Sequence, residues 1–142
     1  MSFKFKNIDA LQRDTEIEGT TGTPLGLAGG ITLNLLCASD ANPRWKTGGE
    51  KFRAELKRLG RANASEERVK KFLAEEFAKM FVIGWDGVLN ADDDQPVPLT
   101  KESCVAFLLA ADDAIPAIQE IVYDSKNFRG QRIEAVVEAA KN

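Results

Sequence analysis

The stretch FAKMFVIGWDGVLNADDDQPVPL, from Phe77 to Leu99, joins an amphipathic helix to a linker rich in glycine, aspartate and proline. Trp85 stands at the junction, between Gly84 and Gly87. The stretch contains no histidine, no pair of cysteines and no phosphate-binding loop. Its apolar residues recur at helical spacing, which is typical of a face that packs against protein. We therefore expect this region to serve packing and contact, and we do not expect it to serve catalysis.

The composition is that of one folded domain with one core. The chain has 142 residues, of which 44% are hydrophobic and 29% charged, and its net charge is -3. A chain of this length buries roughly 68% of the surface that it exposes when unfolded. The small negative charge gives no general attraction to DNA or to an anionic membrane. Because the chain has no histidine, Ser-His and Cys-His nucleophile pairs and histidine metal sites are excluded.

Charge is spread unevenly along the chain. Residues 44–79 contain eleven lysines and arginines against six glutamates, whereas residues 86–124 contain nine acidic residues against Lys101 alone. Such asymmetry favours head-to-tail self-association, and hence a homo-oligomer, or a partner with a mixed surface. The alternative is that each charged stretch is a solvated helix face.

The two cysteines predict a reducing compartment. Cys37 and Cys104 lie in apolar stretches and lack the spacing of a metal or redox pair, so they are expected to be small buried hydrophobic residues. The first 14 residues contain no apolar segment of the kind that a secretion signal needs. No stretch approaches the roughly 20 apolar residues of a membrane-spanning helix. We expect a cytoplasmic protein.

Residues 1–43 are predicted to form an N-terminal strand region. Residues alternate in character along Phe3–Lys6 and again along Thr15–Glu18, and the run Ile31–Cys37 is rich in branched residues, all of which is typical of strands. The glycine-rich stretch Gly19–Gly30 is expected to be a flexible loop or an irregular hairpin connection.

From residue 44 the period of the apolar residues changes from two to 3.6, which predicts helices. Gly60 is expected to end the first helix, and Asn63 or Ser65 to cap the second. The apolar stripe of the second helix continues through Gly84.

Two further helices follow the acidic linker. Thr100 is expected to cap the third helix. Asp112 and Asp113 precede a fourth, which has Pro116 in its first turn, where proline is tolerated and carboxylates suit the helix dipole.

The predicted fold is mainly α with a small N-terminal β region, an α+β class with four to five amphipathic helices packed around one core. Its parts are the strand region 1–43, a helical core over residues 44–128 and a C-terminal helical tail over residues 129–142. The tail is either a fifth helix or a segment that orders on a partner. Together they form a single domain.

The acidic linker does not fit a calcium loop. In the best register, which starts at Asn90, Asp92 and Asp94 take the third and fifth places. The sixth place is then Gln95 instead of glycine and the twelfth is Lys101 instead of a bidentate glutamate. A polar turn is the better interpretation, and no metal site is expected.

Other candidates for chemistry are weaker still. Gly19–Gly30 lacks both the GxGxxG pattern and a Gly-Lys-Ser/Thr ending, so no nucleotide or other cofactor is expected. The carboxylate pairs Asp112 with Asp113 and Asp86 with Asp92 lack flanking residues that indicate the apolar burial needed to separate their pKa values. Surface or capping roles are the better interpretation, and no enzymatic activity is expected.

Four short patterns, in this order, resemble the tail assembly chaperone family of long-tailed bacteriophages and prophages. They are the Asn-x-Arg-aromatic step Asn42–Trp45, the Gly-Trp-x-Gly-Val turn Gly84–Val88, the Pro-hydrophobic-Thr-x-Glu restart Pro98–Glu102 and the phenylalanine-bearing pair Asn127–Phe128. The resemblance covers about Gly30 to Phe128, and it rests on the order of the patterns more than on any one of them.

Two parts of the chain depart from the family pattern. The stretch Gly19–Gly30 is looser than a typical hairpin of the family, and Arg129–Asn142 extends past the part that resembles it.

The resemblance implies a non-enzymatic protein of the host bacterial cytoplasm. Such a protein binds the apolar tape-measure protein, keeps it soluble and helps to recruit the tail-tube protein. The family has no catalytic residues to carry over. The candidate partner-binding residues come from the matching patterns and from the apolar helical stripes: Arg44, Trp45, Phe52, Phe77, Met80, Phe81 and Trp85. The alternative for the apolar members of this set is that they simply form the core.

Two other functions remain as alternatives. A structural minor tail or connector component of the virion would use the charge asymmetry and the strand region for ring formation. Mass spectrometry of purified virions separates the two, since a chaperone should be absent from them. A small nucleic-acid-binding regulator would use the basic helices, although their glutamates and core-spaced apolar residues favour a solvated face.

Overall fold

The computed structural model describes residues 2–141. Over that range the chain forms five α-helices and three strands, in the order β1 (Thr23–Leu27), β2 (Ile31–Leu35), α1 (Pro43–Arg61), α2 (Glu66–Met80), β3 (Val82–Asp86), α3 (Lys101–Ala110), α4 (Ala114–Val122) and α5 (Gly130–Lys141). The predicted α+β class is confirmed. Asn142, the last residue of the predicted tail, lies outside the described residues.

The three strands form one antiparallel sheet in the order β1-β2-β3. Gly29 and Gly30 adopt positive φ angles of 81° and 77° in the turn that connects β1 to β2. β3 pairs with β2 so that Trp85 lies opposite Leu33. The third strand therefore comes from outside residues 1–43, to which the predicted β region was confined.

The prediction that the second helix continues through Gly84 is wrong. α2 ends at Met80, and the next residues form β3. The backbone N–H of Leu36 donates to the Phe81 carbonyl at 2.9 Å, which ties the end of the helix to the segment after β2. Val82 and Ile83 are β-branched, and sheet pairing at this point overrides their helix-compatible spacing.

Of the three strand predictions in residues 1–43, that for Ile31–Cys37 is confirmed by β2, and the other two are wrong. Phe3–Lys6 lies outside every described strand, and Thr15–Glu18 forms helical turns that run into a π-type turn at Ile17–Thr21. The stretch predicted as a loop contains β1. β1 was missed because it is only five residues long and contains Pro24 and Gly26, residues that are typical of loops.

The helix ends follow local chemistry. The Thr100 side chain accepts the Ser103 N–H at 3.0 Å, and Ser103 Oγ accepts the Thr100 N–H at 2.8 Å, so the predicted cap of α3 is confirmed. Ser65 caps α2 by accepting the Arg68 N–H. Asn63 has a positive φ of 51° and takes no part in the cap. α1 ends at Arg61, one residue beyond the predicted Gly60.

The core lies between the sheet and the helices, with α2 in contact with α1, α3, α4 and β3. Its buried cluster draws on β2, β3 and helices α1 to α4: Leu33, Leu35, Trp45, Phe52, Ala74, Phe77, Ala78, Met80, Phe81, Val82, Cys104, Leu108, Ala114, Ile115, Ile118 and Val122. Because α2 is shared by so many neighbours, its position fixes the arrangement of the others.

One buried amide connects three parts of the fold. The Asn42 side chain has no exposed surface, and its Nδ2 donates to the carbonyls of Cys37 and Met80 at 2.9 and 3.0 Å. Its Oδ1 accepts the Arg44 N–H at 3.0 Å and so caps α1. Asn42 thus joins the segment after β2, the start of α1 and the end of α2.

A buried carboxylate fastens the N-terminal segment to the same region. Glu18 has no exposed surface, and its carboxylate accepts hydrogen bonds from Arg13 Nε at 3.0 Å and Ser39 Oγ at 2.7 Å. Its backbone carbonyl accepts the Cys37 N–H at 2.8 Å. Burial raises the pKa of Glu18, but the bonds from Arg13 and Ser39 outweigh it and hold the pKa below its ordinary value.

We expect Asn42→Ala to lower the free energy of unfolding by about 3 kcal/mol, because it removes a helix cap and leaves two buried carbonyls without their donor. Ser65→Ala removes only an exposed cap and should cost about 1 kcal/mol. Urea unfolding of both variants measures the difference. Equal losses would contradict the joining role of Asn42.

The Glu18 carboxylate predicts a specific loss of stability in acid. Since its folded pKa lies below the ordinary 4.5, its contribution is complete above that pH and is lost as the pH falls through the folded pKa. Below about pH 4.5 the free energy of unfolding of Glu18→Gln should therefore fall less steeply than that of the wild type, by at most about 1.4 kcal/mol per pH unit. Urea unfolding across pH measures this, and Glu120→Gln at an exposed position should keep the wild-type slope.

Candidate functional site

The structure places five of the seven predicted partner-binding residues in the core. Phe77, Met80 and Phe81 have no exposed surface, and Phe52 and Trp45 keep 3% and 7% of theirs. The structure buries these five side chains, and a role for them in partner binding stays a prediction. Apolar residues at helical spacing are equally compatible with core packing and with contact, and here they pack the core.

Four of the five residues, Trp45, Phe52, Phe77 and Phe81, belong to one aromatic cluster. Trp45 stacks on Phe81 with ring centroids 5.6 Å apart, and Phe52 stacks on Phe72 at 5.5 Å. Gly49, one helical turn after Trp45, leaves room for the indole, since a Cβ there would lie 2.8 Å from Trp45 Cε2. The cluster is therefore closely packed on the side of α1 that faces the core.

The other two predicted residues lie nearer the surface. Arg44 is exposed, and its Nη1 donates to the Lys79 carbonyl at 3.3 Å, at the end of α2. Trp85 is half-buried, and its Nε1 donates to the Val97 carbonyl at 2.8 Å. Its ring meets the edge of Phe107 at 5.6 Å. Trp85 thus anchors the linker to the sheet and to α3.

An open apolar groove lies between α2 and α4. Its volume is about 390 Å³. The residues that line this α2–α4 groove are Ala64, Glu66, Val69, Lys70, Leu73, Asp112, Ile115, Pro116 and Gln119. The apolar members come mainly from the facing sides of two amphipathic helices. The groove therefore has a shape that can hold the apolar face of a third helix.

An ion pair borders the groove. Lys70 Nζ lies 2.8 Å from Asp112 Oδ1 and also donates to the Leu109 carbonyl at 3.0 Å. The hydrogen bond from Lys70, together with its charge, lowers the pKa of Asp112. The pair connects α2 to the turn between α3 and α4, where Asp112 had been a candidate for acid–base chemistry.

Exposed aromatic residues lie on the N-terminal segment. Phe3 and Phe5 are 75% and 70% exposed, and their rings stack with centroids 6.5 Å apart. Sequence reasoning interpreted this segment as a strand and did not include it among the contact residues. The alternation of phenylalanine with Lys4 and Lys6, with no apolar stretch around it, was the feature that could have indicated an exposed segment.

The groups that could carry covalent chemistry are poorly placed for it. Burial raises the pKa of both thiols, Cys37 and Cys104, to about 11, so little thiolate exists at neutral pH. Cys37 Sγ lies 3.3 Å from the Val122 carbonyl, to which it donates. Among the described residues no group of three or more cysteine and acidic side chains is arranged to hold a metal ion.

The sequence patterns that carried the resemblance have structural roles here. Asn42 caps α1, Trp45 packs in the core, Trp85 holds the linker and Thr100 caps α3. Gly87 has a φ of 80°, and a Cβ at this position would clash with the Gly30 carbonyl oxygen. The Asn42–Trp45 and Gly84–Val88 patterns therefore mark points where two segments of the chain are joined.

The geometry defines a small α+β protein with an open groove between two of its helices. Residues 40–142 match the family of YdaY prophage proteins, and the match covers more than half of the chain. The chain therefore belongs to this prophage protein family. It has no match among the curated proteins or the solved structures.

Each helix within residues 2–141 is too short or too polar to span a membrane.

The packing of Trp45 predicts opposite effects at two glycines of α1. Gly49→Ala should lower the free energy of unfolding by about 1–3 kcal/mol, because the new methyl group displaces the indole. Gly60→Ala should raise it by up to about 1 kcal/mol, because nothing lies within 4 Å of a Cβ there and alanine favours the helix. Thermal or urea unfolding of the two variants measures both signs. A neutral Gly49→Ala would contradict the close packing described above.

Proposed function

We propose that this prophage protein is a tail assembly chaperone. In this proposal it binds the tape-measure protein in the host bacterial cytoplasm, keeps it soluble and assists assembly of the tail-tube protein around it, without enzymatic activity. Membership of a prophage family and the order of the sequence patterns agree with this role. The single observation that carries the proposal is the open α2–α4 groove.

The groove has the chemistry that the proposed partner needs. Val69 and Leu73 from α2 are partly exposed there, and they face Ile115 and Pro116 from α4. An amphipathic helix that lays its apolar face in such a groove buries apolar surface on both sides, at about 25 cal/mol per Å². The polar rim, with Lys70 and its ion pair, keeps the free protein soluble while the floor stays apolar.

A reversible contact of this kind requires no opening of the core. The aromatic cluster around Trp45 stays buried. Val69, Leu73 and Pro116 of the contact surface are already accessible, whereas Ile115 is only 5% exposed. The exposed Phe3 and Phe5 supply further apolar surface on a segment outside the core. A chaperone that must release its client benefits from such a surface, because binding then costs little reorganisation.

The chemistry of the described residues favours a non-enzymatic role. The chain has no histidine, and both of its thiols are buried with raised pKa values. The carboxylate of Asp112 is held in an ion pair. The groove residues are therefore suited to contact, whereas an acid–base role would need a carboxylate with a raised pKa.

Co-expression with the tape-measure protein of the same prophage tests this proposal. The wild type should raise the soluble fraction of the tape-measure protein, and Val69→Glu, which places a charge on the groove floor, should lose most of this effect. Ala54→Glu makes the same change at an exposed position of α1 and should act as the wild type does. The amount of tape-measure protein in the soluble fraction and in pull-downs measures the effect, after both variants are shown to unfold at similar urea concentrations.

The outcomes separate the function from the site. If the tape-measure protein stays equally soluble alone, the chaperone function is wrong. If the wild type and Val69→Glu help equally, the function stands and its assignment to the α2–α4 groove is wrong. Recovery of this protein as a component of purified virions would favour a minor tail or connector subunit instead.

A further inference from the structure

A second groove lies beside the start of β3, which is an edge strand of the sheet. Its volume is about 370 Å³. The residues that line this β3 groove are Arg44, Ala78, Lys79, Val82, Ile83, Leu99, Thr100 and Lys101. They include three cations and no carboxylate. The floor is apolar and the rim is basic, so the groove suits a partner that combines an apolar side chain with acidic ones.

The three cations of the rim come from three different helices. Arg44 lies in the first turn of α1, Lys79 in the last turn of α2 and Lys101 at the first residue of α3. All three are exposed. The bond from Arg44 Nη1 to the Lys79 carbonyl holds the guanidinium beside the groove. The fold thus brings together positive charges that are far apart in sequence.

The linker after β3 forms a closed acidic hairpin over residues 88–97. The Val97 N–H donates to the Val88 carbonyl at 2.9 Å, and the Asn90 N–H donates to the Gln95 carbonyl at 2.8 Å. Asp93 Oδ1 accepts the Gln95 N–H within the turn. These bonds fix the backbone of the hairpin, so it needs little further ordering to bind.

The hairpin carries acidic side chains and an exposed leucine, which complement the basic rim and the apolar floor of the β3 groove. Asp92, Asp93 and Asp94 are exposed at its tip, and it contains no lysine or arginine. Leu89 is 53% exposed, in a bridge opposite Pro96. An exposed leucine beside three carboxylates is complementary to an apolar floor beside three cations.

We infer that the acidic hairpin of one copy of this chain docks in the β3 groove of a second copy. Within one copy the hairpin leads into the groove lining at Leu99 but does not fill the groove, because Leu89 stays 53% exposed. Among the described residues, no ion pair joins the three tip carboxylates to the three cations of the rim. The contact is therefore between copies.

This contact is head-to-tail, because it joins two different surfaces, the hairpin of one copy and the groove of the next. Such an interface is heterologous, and it continues from copy to copy into a ring or an open filament. Leu89 enters the groove floor, and the tip carboxylates face the basic rim. Since these charges lie near the surface, salt screens their attraction, and association should weaken as salt rises.

Analytical ultracentrifugation of the purified full-length protein tests the inference. The wild type should associate as its concentration rises at low salt, about 0.05 M, and its apparent Kd should rise at least about tenfold at about 0.5 M. The groove variant Lys79→Gln/Lys101→Gln and the hairpin variant Asp92→Asn/Asp93→Asn/Asp94→Asn should each stay monomeric. Asparagine keeps the side-chain acceptor that the turn uses, so the hairpin variant preserves its fold.

A mixture of the two variants gives the sharpest result. The groove variant still has its hairpin and the hairpin variant still has its groove, so the mixture should form 1:1 dimers that grow no further. The matched control Lys51→Gln/Lys57→Gln removes the same charge from exposed positions of α1 and should associate as the wild type does.

Three results would overturn the inference. The first is a wild type that stays monomeric at about 0.1 mM and low salt, where weak contacts of this size are populated. The second is a control variant that associates as weakly as the groove variant. The third is a mixture of the two variants that stays monomeric. None of these results bears on the tape-measure experiment, since the measurement uses this protein alone.

Discussion

The three hydrogen bonds of the buried Asn42 side chain are the constraint on which the rest of the structure depends. They join the segment after β2, the first turn of α1 and the last residue of α2 at one point. Because two of the acceptors are buried backbone carbonyls, no other residue type of this size satisfies both of them and caps a helix at once. The relative placement of α1, α2 and the sheet follows from this one amide.

Two consequences follow from that placement. Trp45 lies in the first turn of α1, so fixing the start of the helix brings its indole against Phe81, with Gly49 providing the space. The end of α2 is fixed at the same point, so the chain leaves the helix directly into β3 and pairs with β2. The core is therefore closed by side chains that a helical wheel alone would also assign to a contact face.

The parts of this fold that could be predicted from the sequence are those decided locally. The helical period indicated the first two helices, and the fifth helix was one of two alternatives for the tail. The cap at Thr100 was identified because its chemistry lies within four residues. β3 could not be predicted, because Val82–Asp86 continues a helical stripe and becomes a strand only through pairing with β2. For a related reason, the sequence could not show that five of the partner-binding candidates lie in the core. Helical spacing shows which side chains lie on a face that other protein covers. Only the tertiary structure shows whether the protein's own core or a partner covers that face.

The surfaces that remain for binding are those where elements meet without filling the space between them. α2 packs against α3 more closely than against α4, which leaves the α2–α4 groove lined by Val69 and Ile115. β3 is short and lies at the sheet edge, so a groove remains beside it. Cations from the ends of three helices line this groove. Both grooves lie on elements whose positions are set by the buried core, so each proposed partner would contact a surface that is already formed. Contact at either surface would leave the hydrogen bonds of Asn42 intact, so a partner could bind and leave without unfolding this protein.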